Sequence, residues 1–313
     1  MQVQAAALNH LDLFVLEGLP GITLTPDWIV ACDAAGVVTQ VGEGVTSVQP
    51  GDHVVIDPGL SDGTCEYCLA GEEPLCMRYR ILGEHVSGLC AEEVVVPAGN
   101  AHAIPKSIPW EEAAAFSLAT LTAWRMIVTR ARVSQADEVL IWGIGGGVAL
   151  QALQICKQIG ARVWVTSGSD AKLERARALG ADEVLNHRRI DIGREVRART
   201  RKRGVSVVVD NVGHDSWAAS LGALGRAGRL VTCGATSGPM VETDVRRLFW
   251  NQWTIMGSTM GNRSEMRAIV DELRAGRLAP VVDSVHELED GRAAYDRLRS
   301  GEQFGKVVIR VAR

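Results

Sequence analysis

The stretch Val139-Leu-Ile-Trp runs directly into Gly143-Ile-Gly-Gly-Gly-Val-Ala149, and a helix-forming segment follows through Lys157. An apolar strand, a glycine-rich turn and a helix in succession form a recognisable unit. Glycine lets the backbone take positive φ and approach a ligand closely. A helix starting behind such a turn aims free N–H groups and its positive dipole end at an anion. The strict G-x-G-x-x-G pattern fails from Gly143, because Val148 takes its last position; the spacing Gly143-x-x-Gly146-x-x-Ala149 fits instead. Alanine is small enough where the helix packs on the strand. A glycine cluster alone also suits a purely structural turn. Here it sits inside a βαβ series, which is the context expected of a dinucleotide-binding turn. Gly143, Gly145, Gly146, Gly147 and Val148 are therefore the expected pyrophosphate cradle.

Outward from that turn the pattern continues. Strand-like runs at Arg162-Val-Trp-Val-Thr, Val205-Ser-Val-Val-Val-Asp and Arg229-Leu-Val-Thr-Cys alternate with helical stretches. Continuous apolar strands are what a parallel sheet covered on both faces requires. Residues 120–258 are thus expected to form a Rossmann domain, a doubly wound parallel sheet. Residues 1–119 carry short β-type runs, such as Ala35-Gly-Val-Val-Thr-Gln-Val-Gly and Asp52-His-Val-Val-Ile, punctuated by Gly and Pro. That pattern suits an irregular β-barrel. Residues 259–313, with a helical stretch from Ser264 to Gly276 and a last strand at Gly305-Lys-Val-Val-Ile-Arg-Val, are expected to return to it.

The 313 residues suit two domains, and 47% hydrophobic with 22% charged residues is ordinary for a globular chain. The net charge of −4 gives no field that would draw nucleic acid or an anionic membrane. The run Arg194–Arg203, with five Arg and one Lys, reads as a solvated helix face and turn. No signal-peptide pattern opens the chain. Seven cysteines without such a signal read as reduced thiols or metal ligands in a cytoplasmic protein.

The second strand of the series bears on which dinucleotide binds. NAD sites usually carry an acidic residue at that strand's end, about 20 residues after the turn. Here the strand ends Val165-Thr-Ser167-Gly-Ser169, with Lys172 and Arg175 behind it and Arg188 further on. Asp170 lies past the strand and reads as a helix cap. Ser167, Ser169, Lys172 and Arg188 suit a ribose 2′-phosphate, so NADP(H) is favoured over NAD(H).

A second motif is Asp62-x-x-Cys65-x-x-Cys68-x₇-Cys76. Three close-set thiols and a carboxylate form a tetrahedral zinc shell, and a closed shell makes the ion structural. A metal-free loop is the competing reading, because aspartate is a poorer ligand than cysteine.

Together with the short motifs Ala5-Ala-Ala-Leu-Asn-His-Leu-Asp12, Gly36-Val-Val-Thr-Gln-Val-Gly-Glu-Gly44, Pro50-Gly-Asp-His, Leu121-Thr-Ala-Trp124 and Val209-Asp-Asn-Val-Gly213, these features resemble the medium-chain dehydrogenase/reductase superfamily. The zinc-type alcohol dehydrogenases and quinone oxidoreductase-like members are most similar. The resemblance implies a GroES-like domain, a Rossmann domain, an active site between them, and a homodimer or homotetramer whose Rossmann sheets join edge to edge. Two departures stand out. Family members usually start earlier, with further barrel strands, so the barrel is expected to be N-terminally shortened. The resemblance also places the catalytic-zinc ligands Cys, His and Cys on Asn9, Cys32 and Leu118. Leucine ligates nothing and asparagine is a poor ligand. Asp33 matches the carboxylate that follows the family's histidine.

Without a Lewis acid nothing stabilises the alkoxide of an unactivated alcohol. Hydride addition to an enone, enal or quinone asks only for hydrogen-bond donors on the enolate oxygen. The resemblance puts Asn9 at the catalytic centre and Thr122 against the nicotinamide, with Asp12 organising the wall. Ordinary packing or helix capping is the competing role for each. The expected function is a zinc-independent, NADP(H)-dependent reductase of small electrophilic substrates. A zinc-dependent alcohol dehydrogenase and a non-catalytic nucleotide-binding protein are the alternatives.

Overall fold

The computed structural model describes residues 1–312. Its first strands are β1 (Gln2–Leu8), β2 (Asp33–Val37), β3 (His53–Ile56), β4 (Gly59–Leu60), β5 (Arg80–Ile81) and β6 (Ala101–Ala103). β7 (Glu138–Ile141), β8 (Arg162–Ser167), β9 (Glu183–Asn186), β10 (Val205–Asp210), β11 (Leu224–Thr232) and β12 (Thr254–Gly257) follow. The chain closes with β13 (Val282–Glu287) and β14 (Lys306–Arg310). It divides into two compact units, Met1–Leu121 with the chain from Met260 onward, and Thr122–Thr259.

The first unit is built on a six-stranded sheet in the order β13-β14-β1-β2-β3-β6. Only β13 and β14 run parallel; the other neighbours are antiparallel. β1 is central, and its run Ala5-Ala-Ala7 is wholly buried. The core beneath holds Val3, Leu8, Val54, Ile56, Leu89, Val307 and Ile309. The run read as a strand over Ala35–Gly42 pairs regularly only through Val37; Val38 still bonds Asp52 and Gly51, and the ladder ends there. A separate pair, β4 and β5, brackets the cysteine loop and closes its two ends.

The second unit is a fully parallel sheet in the order β12-β11-β10-β7-β8-β9. Its centre is buried on both faces: Val139, Leu140, Ile141, Val163, Val165, Val207 and Val208 have no exposed area. Chain order reverses between β7 and β10, so the ligand crevice of such a sheet lies beyond the carboxyl ends of these strands. At the end of β10, buried Asp210 accepts from the backbone N–H of Val212 (2.9 Å) and Gly213 (3.1 Å) and from the hydroxyls of Ser216 and Ser220. The fold is therefore α/β with a Rossmann sheet. Among the described residues, no helix is long and apolar enough to cross a membrane.

Gly305 fixes the start of β14. Its φ is +121°, and a β-carbon there would lie 2.2 Å from the Val281 carbonyl oxygen. The next residue, Lys306, donates its N–H to that same oxygen at 2.8 Å. Gly305→Ala is expected to lower stability by about 1–3 kcal/mol, as overpacking and left-handed strain do. A denaturant melt reads this directly, and an unchanged midpoint would mean that the strand start relaxes freely.

Candidate functional site

In the first unit, the polar core gathers around Asp33 at the start of β2. Asp33 has no exposed area, and its Oδ1 accepts the Leu118 N–H at 2.7 Å. Its Oδ2 accepts from Asn9 Nδ2 at 2.9 Å and from the Lys306 ammonium at 2.9 Å. Lys306, itself 4% exposed, also donates to Asn9 Oδ1. Asn9 stands just before the helix His10–Glu17, and its own N–H donates to Asp12 Oδ2 at 2.7 Å. Asp12 Oδ1 accepts the Ala31 N–H at 3.0 Å. Burial pushes the Asp12 carboxyl up to about 6 and the Cys32 thiol well above its ordinary value. Breaking one half of a buried ion pair costs about 3–5 kcal/mol, so Lys306 and Asp33 hold each other in place.

Thus Asn9, Asp33 and Leu118 come together as the resemblance expects of their positions, while Lys306 enters unannounced. A zinc ion does not fit this donor set. The Asn9 amide oxygen already holds an ammonium, and Leu118 offers no side-chain donor. Asp12 touches backbone N–H groups, so its observed work is to hold the Asn9 turn against Ala31. Thr122 is buried and opens the second unit.

In the second unit, Gly143 (φ +70°) and Gly145 (φ +124°) take backbone conformations that side chains rarely adopt. The Gly143 N–H meets Thr166 Oγ1 at 3.3 Å and the Ile144 N–H meets the Thr166 carbonyl at 2.8 Å. The turn is thereby pinned to β8. Gly146 caps the helix Gly147–Ile159, whose intrahelical ladder starts with the Leu150 N–H on the Gly146 oxygen. The amides of Gly147, Val148 and Ala149 precede that ladder and suit an anion. At the end of β8, Ser167 Oγ accepts the Ser169 N–H at 3.1 Å, and Ser169 caps the helix Asp170–Ala178 by accepting the Lys172 N–H. The cap is therefore Ser169 and not Asp170, which instead bonds Asn186 (2.6 Å) and Arg189 (2.6 Å). Arg188 lies against Gly168: a β-carbon there would sit 2.6 Å from its Nε. A guanidinium over the strand end is the arrangement a ribose 2′-phosphate needs.

The cysteine loop is compact. The side-chain donor atoms of Asp62, Cys65, Cys68 and Cys76 all lie within 4.8 Å of one another, and Cys65 and Cys68 sulfurs are 3.5 Å apart. Thiolates about 2.3 Å from one tetrahedral zinc stand about 3.8 Å apart, so the cluster fits that ion. Asp62 Oδ1 accepts the N–H of Thr64 (2.8 Å) and Cys65 (2.9 Å), which holds its carboxyl well below the usual range. The Arg78 N–H points at Cys76 Sγ, 3.4 Å away. All seven cysteines are free thiols.

Sequence reasoning missed Lys306. Its one signal was a lysine opening the otherwise apolar run Val307-Val-Ile309 behind a glycine. It also put Lys172 ahead of Arg188, whereas Arg188 is the one that packs against Gly168.

Residues 1–106 match the alcohol dehydrogenase GroES-like domain family, and residues 147–275 match the zinc-binding dehydrogenase family. An NAD-dependent alcohol dehydrogenase of Sulfolobus acidocaldarius is 30% identical over 99% of this chain and 91% of its own. A crotonyl-CoA reductase of Streptomyces avermitilis is 32% identical over 91% of this chain and 68% of its own. A crystal structure of an NAD-dependent alcohol dehydrogenase superposes with a TM-score of 0.95 at 44% identity, covering 99% of this chain and 91% of the other. With two domains, a glycine turn and a cysteine loop of this kind, the chain belongs to the medium-chain dehydrogenase/reductase superfamily as a zinc-type alcohol dehydrogenase-like oxidoreductase.

Proposed function

We propose that this chain is an NADP(H)-dependent reductase of activated carbon–carbon double bonds or quinones that works without a catalytic zinc. The observation that carries the reading is the Lys306 ammonium, bonded to Asn9 and Asp33 among the positions where the family holds its metal. A buried ammonium repels a second cation, and Leu118 removes a third ligand. The crotonyl-CoA reductase relative supports the reaction class, since its named substrate is an activated alkene. The alcohol dehydrogenase relatives favour the alternative, alcohol oxidation on a second zinc ion.

A bound dinucleotide would supply a hydride to the β-carbon of the substrate, and the resulting enolate would take its proton at the α-carbon from water. The chain's own residues then meet the charge that moves onto the substrate oxygen. Asn9 Nδ2 carries two hydrogens, and one goes to Asp33. We assign the other to the developing enolate oxygen. The ammonium on Asn9 Oδ1 polarises the amide and strengthens that donor. Thr122 is assigned to the nicotinamide face, and Ser167, Ser169, Lys172 and Arg188 to the 2′-phosphate. A structural zinc on Asp62, Cys65, Cys68 and Cys76 orders the loop between β4 and β5. Association through β12 completes the reading: β12 ends its sheet, and Phe249 and Trp250 beside it are 65% and 69% exposed.

Arg188→Ala is expected to weaken NADPH by about 1.5–3 kcal/mol, as loss of a hydrogen bond to a charged group does, and to leave NADH unchanged. Fluorescence titration of both cofactors measures this; equal Kd values in the unmodified chain would sink the NADP(H) preference. Metal analysis after purification without chelator is expected to give one zinc per chain. Cys68→Ser should lower both zinc content and Tm. Unchanged stability and metal content would remove the ion from that loop.

The reaction itself is tested with enones, enals and quinones beside simple alcohols. Asn9→Ala is expected to lower kcat by about 10²-fold, the cost of one oxyanion donor, with a smaller change in KM. Asn9→Asp should be slower still, because it sets a carboxylate beside a developing oxyanion. Alcohol oxidation that chelator abolishes and zinc restores, with two ions per chain, would establish the zinc alcohol dehydrogenase instead.

A further inference from the structure

The basic run at 194–203 does more than face solvent. In the second unit it borders a cavity of about 590 Å³, a volume usual for small-molecule sites. The cavity lies at the amino-terminal ends of β7, β10 and β11, where Glu138, Val205 and Gly225 line it. In a parallel sheet that is the end opposite the glycine turn. Five cationic side chains, Arg197, Arg201, Lys202, Arg203 and Arg226, line it with a single carboxylate, Glu138.

These cations divide into two sets. Arg197 is half-buried and donates to the carbonyls of Gly222 (3.0 Å), Lys202 (2.7 Å), Arg203 (3.2 Å) and Leu224. Carbonyls satisfy its donors without neutralising its charge. Arg203 takes up Glu138. Arg201, Lys202 and Arg226 are exposed and have no ion-pair partner among the described residues. The loop that presents the first two is held in an uncommon shape, with Arg201 at φ +51° and Lys202 at φ +68°. Across the cavity Ala227, beside Arg226, sits at φ +54°. Non-glycine residues hold such conformations where the surroundings impose them. Arg197 imposes this one, through its bonds to Lys202 and Arg203.

Like charges gathered in one concavity repel one another and raise the local concentration of a multivalent anion. Guanidinium forks match phosphate oxygens pairwise, and four of the five cations are arginines. We propose that this cavity binds a small molecule carrying linked phosphates, at a site separate from that of the dinucleotide.

The test is calorimetric titration of the full chain with inorganic tripolyphosphate, pyrophosphate, orthophosphate and ATP, all at one ionic strength, with NADPH held at saturation. Tripolyphosphate is expected to bind about tenfold or more tighter than orthophosphate, with a Kd that NADPH does not change. ATP binding tighter than tripolyphosphate supports a nucleotide ligand; equal affinities support recognition of the phosphates alone. Arg201→Ala/Arg226→Ala should weaken tripolyphosphate about tenfold or more while Tm and the NADPH Kd stay constant. Lys202→Gln is a second variant with the same expected direction and a milder change. Displacement by NADPH, orthophosphate binding as tightly, affinity that survives both variants, or no binding at all would overturn the proposal.

Discussion

One buried carboxylate organises the first unit. Asp33 receives donors from three separate segments: the Leu118 N–H, the Asn9 amide and the Lys306 ammonium. A charge without solvent must be paired and hydrogen-bonded, or the group neutralises. Here that demand ties β2 to the end of β1, to the start of β14 and to the segment at Leu118. The orientation of the Asn9 amide follows from it, since Oδ1 must face the ammonium and Nδ2 the carboxylate. Lys306 thereby sets a cation of the chain's own against Asn9 and Asp33. The proposed function rests on this contact.

The second unit obeys a different constraint. Its turn needs positive φ at Gly143 and Gly145, and the bonds to Thr166 keep the turn beside β8. Nothing there is charged, because the ligand expected there brings its own charge. The end of β8 carries Ser167, Gly168 and Ser169 with Arg188 packed against the glycine, where an NAD site usually carries a carboxylate. Asp170, the nearest acid, is occupied by Asn186 and Arg189.

Much of this was legible in the amino-acid order because it is local. Parallel strands buried on both faces read as unbroken apolar runs, and β7, β8 and β10 do. The glycine turn and the cysteine spacing are contiguous, so their geometry follows from a few neighbouring residues. The polar network was not legible, because Lys306 meets Asn9 across 297 positions. Only the sheet order β14-β1-β2 brings those strand ends side by side. The basic run is solvated as its spacing suggests, but its grouping was hidden for the same reason. Its charges are spaced as on any solvated helix, and only the return of the chain at Arg226 turns them into a cavity wall. Two smaller errors were matters of competition. Ser169 took the cap that Asp170 could have filled, and the ladder ended near Val38 in a strand whose side chains would have continued it.

The neutrality of the Lys306–Asp33 pair bears on which substrates the site can serve. A metal ion in the family's place would bind the reacting oxygen directly and so stabilise an alkoxide outright. An ammonium balanced by a carboxylate leaves a dipole, whose positive end is directed through Asn9. Through Asn9 that dipole offers the substrate oxygen a hydrogen-bond donor and no bond, which calls for a substrate that already carries its own polarisation. On this reading the substitutions at positions 9 and 118 cannot be undone singly. Restoring one metal ligand would still leave the Lys306 ammonium on Asn9 and Asp33, and removing Lys306 would leave Asp33 buried without its cation. The ion pair and the choice of electrophile belong to the same design.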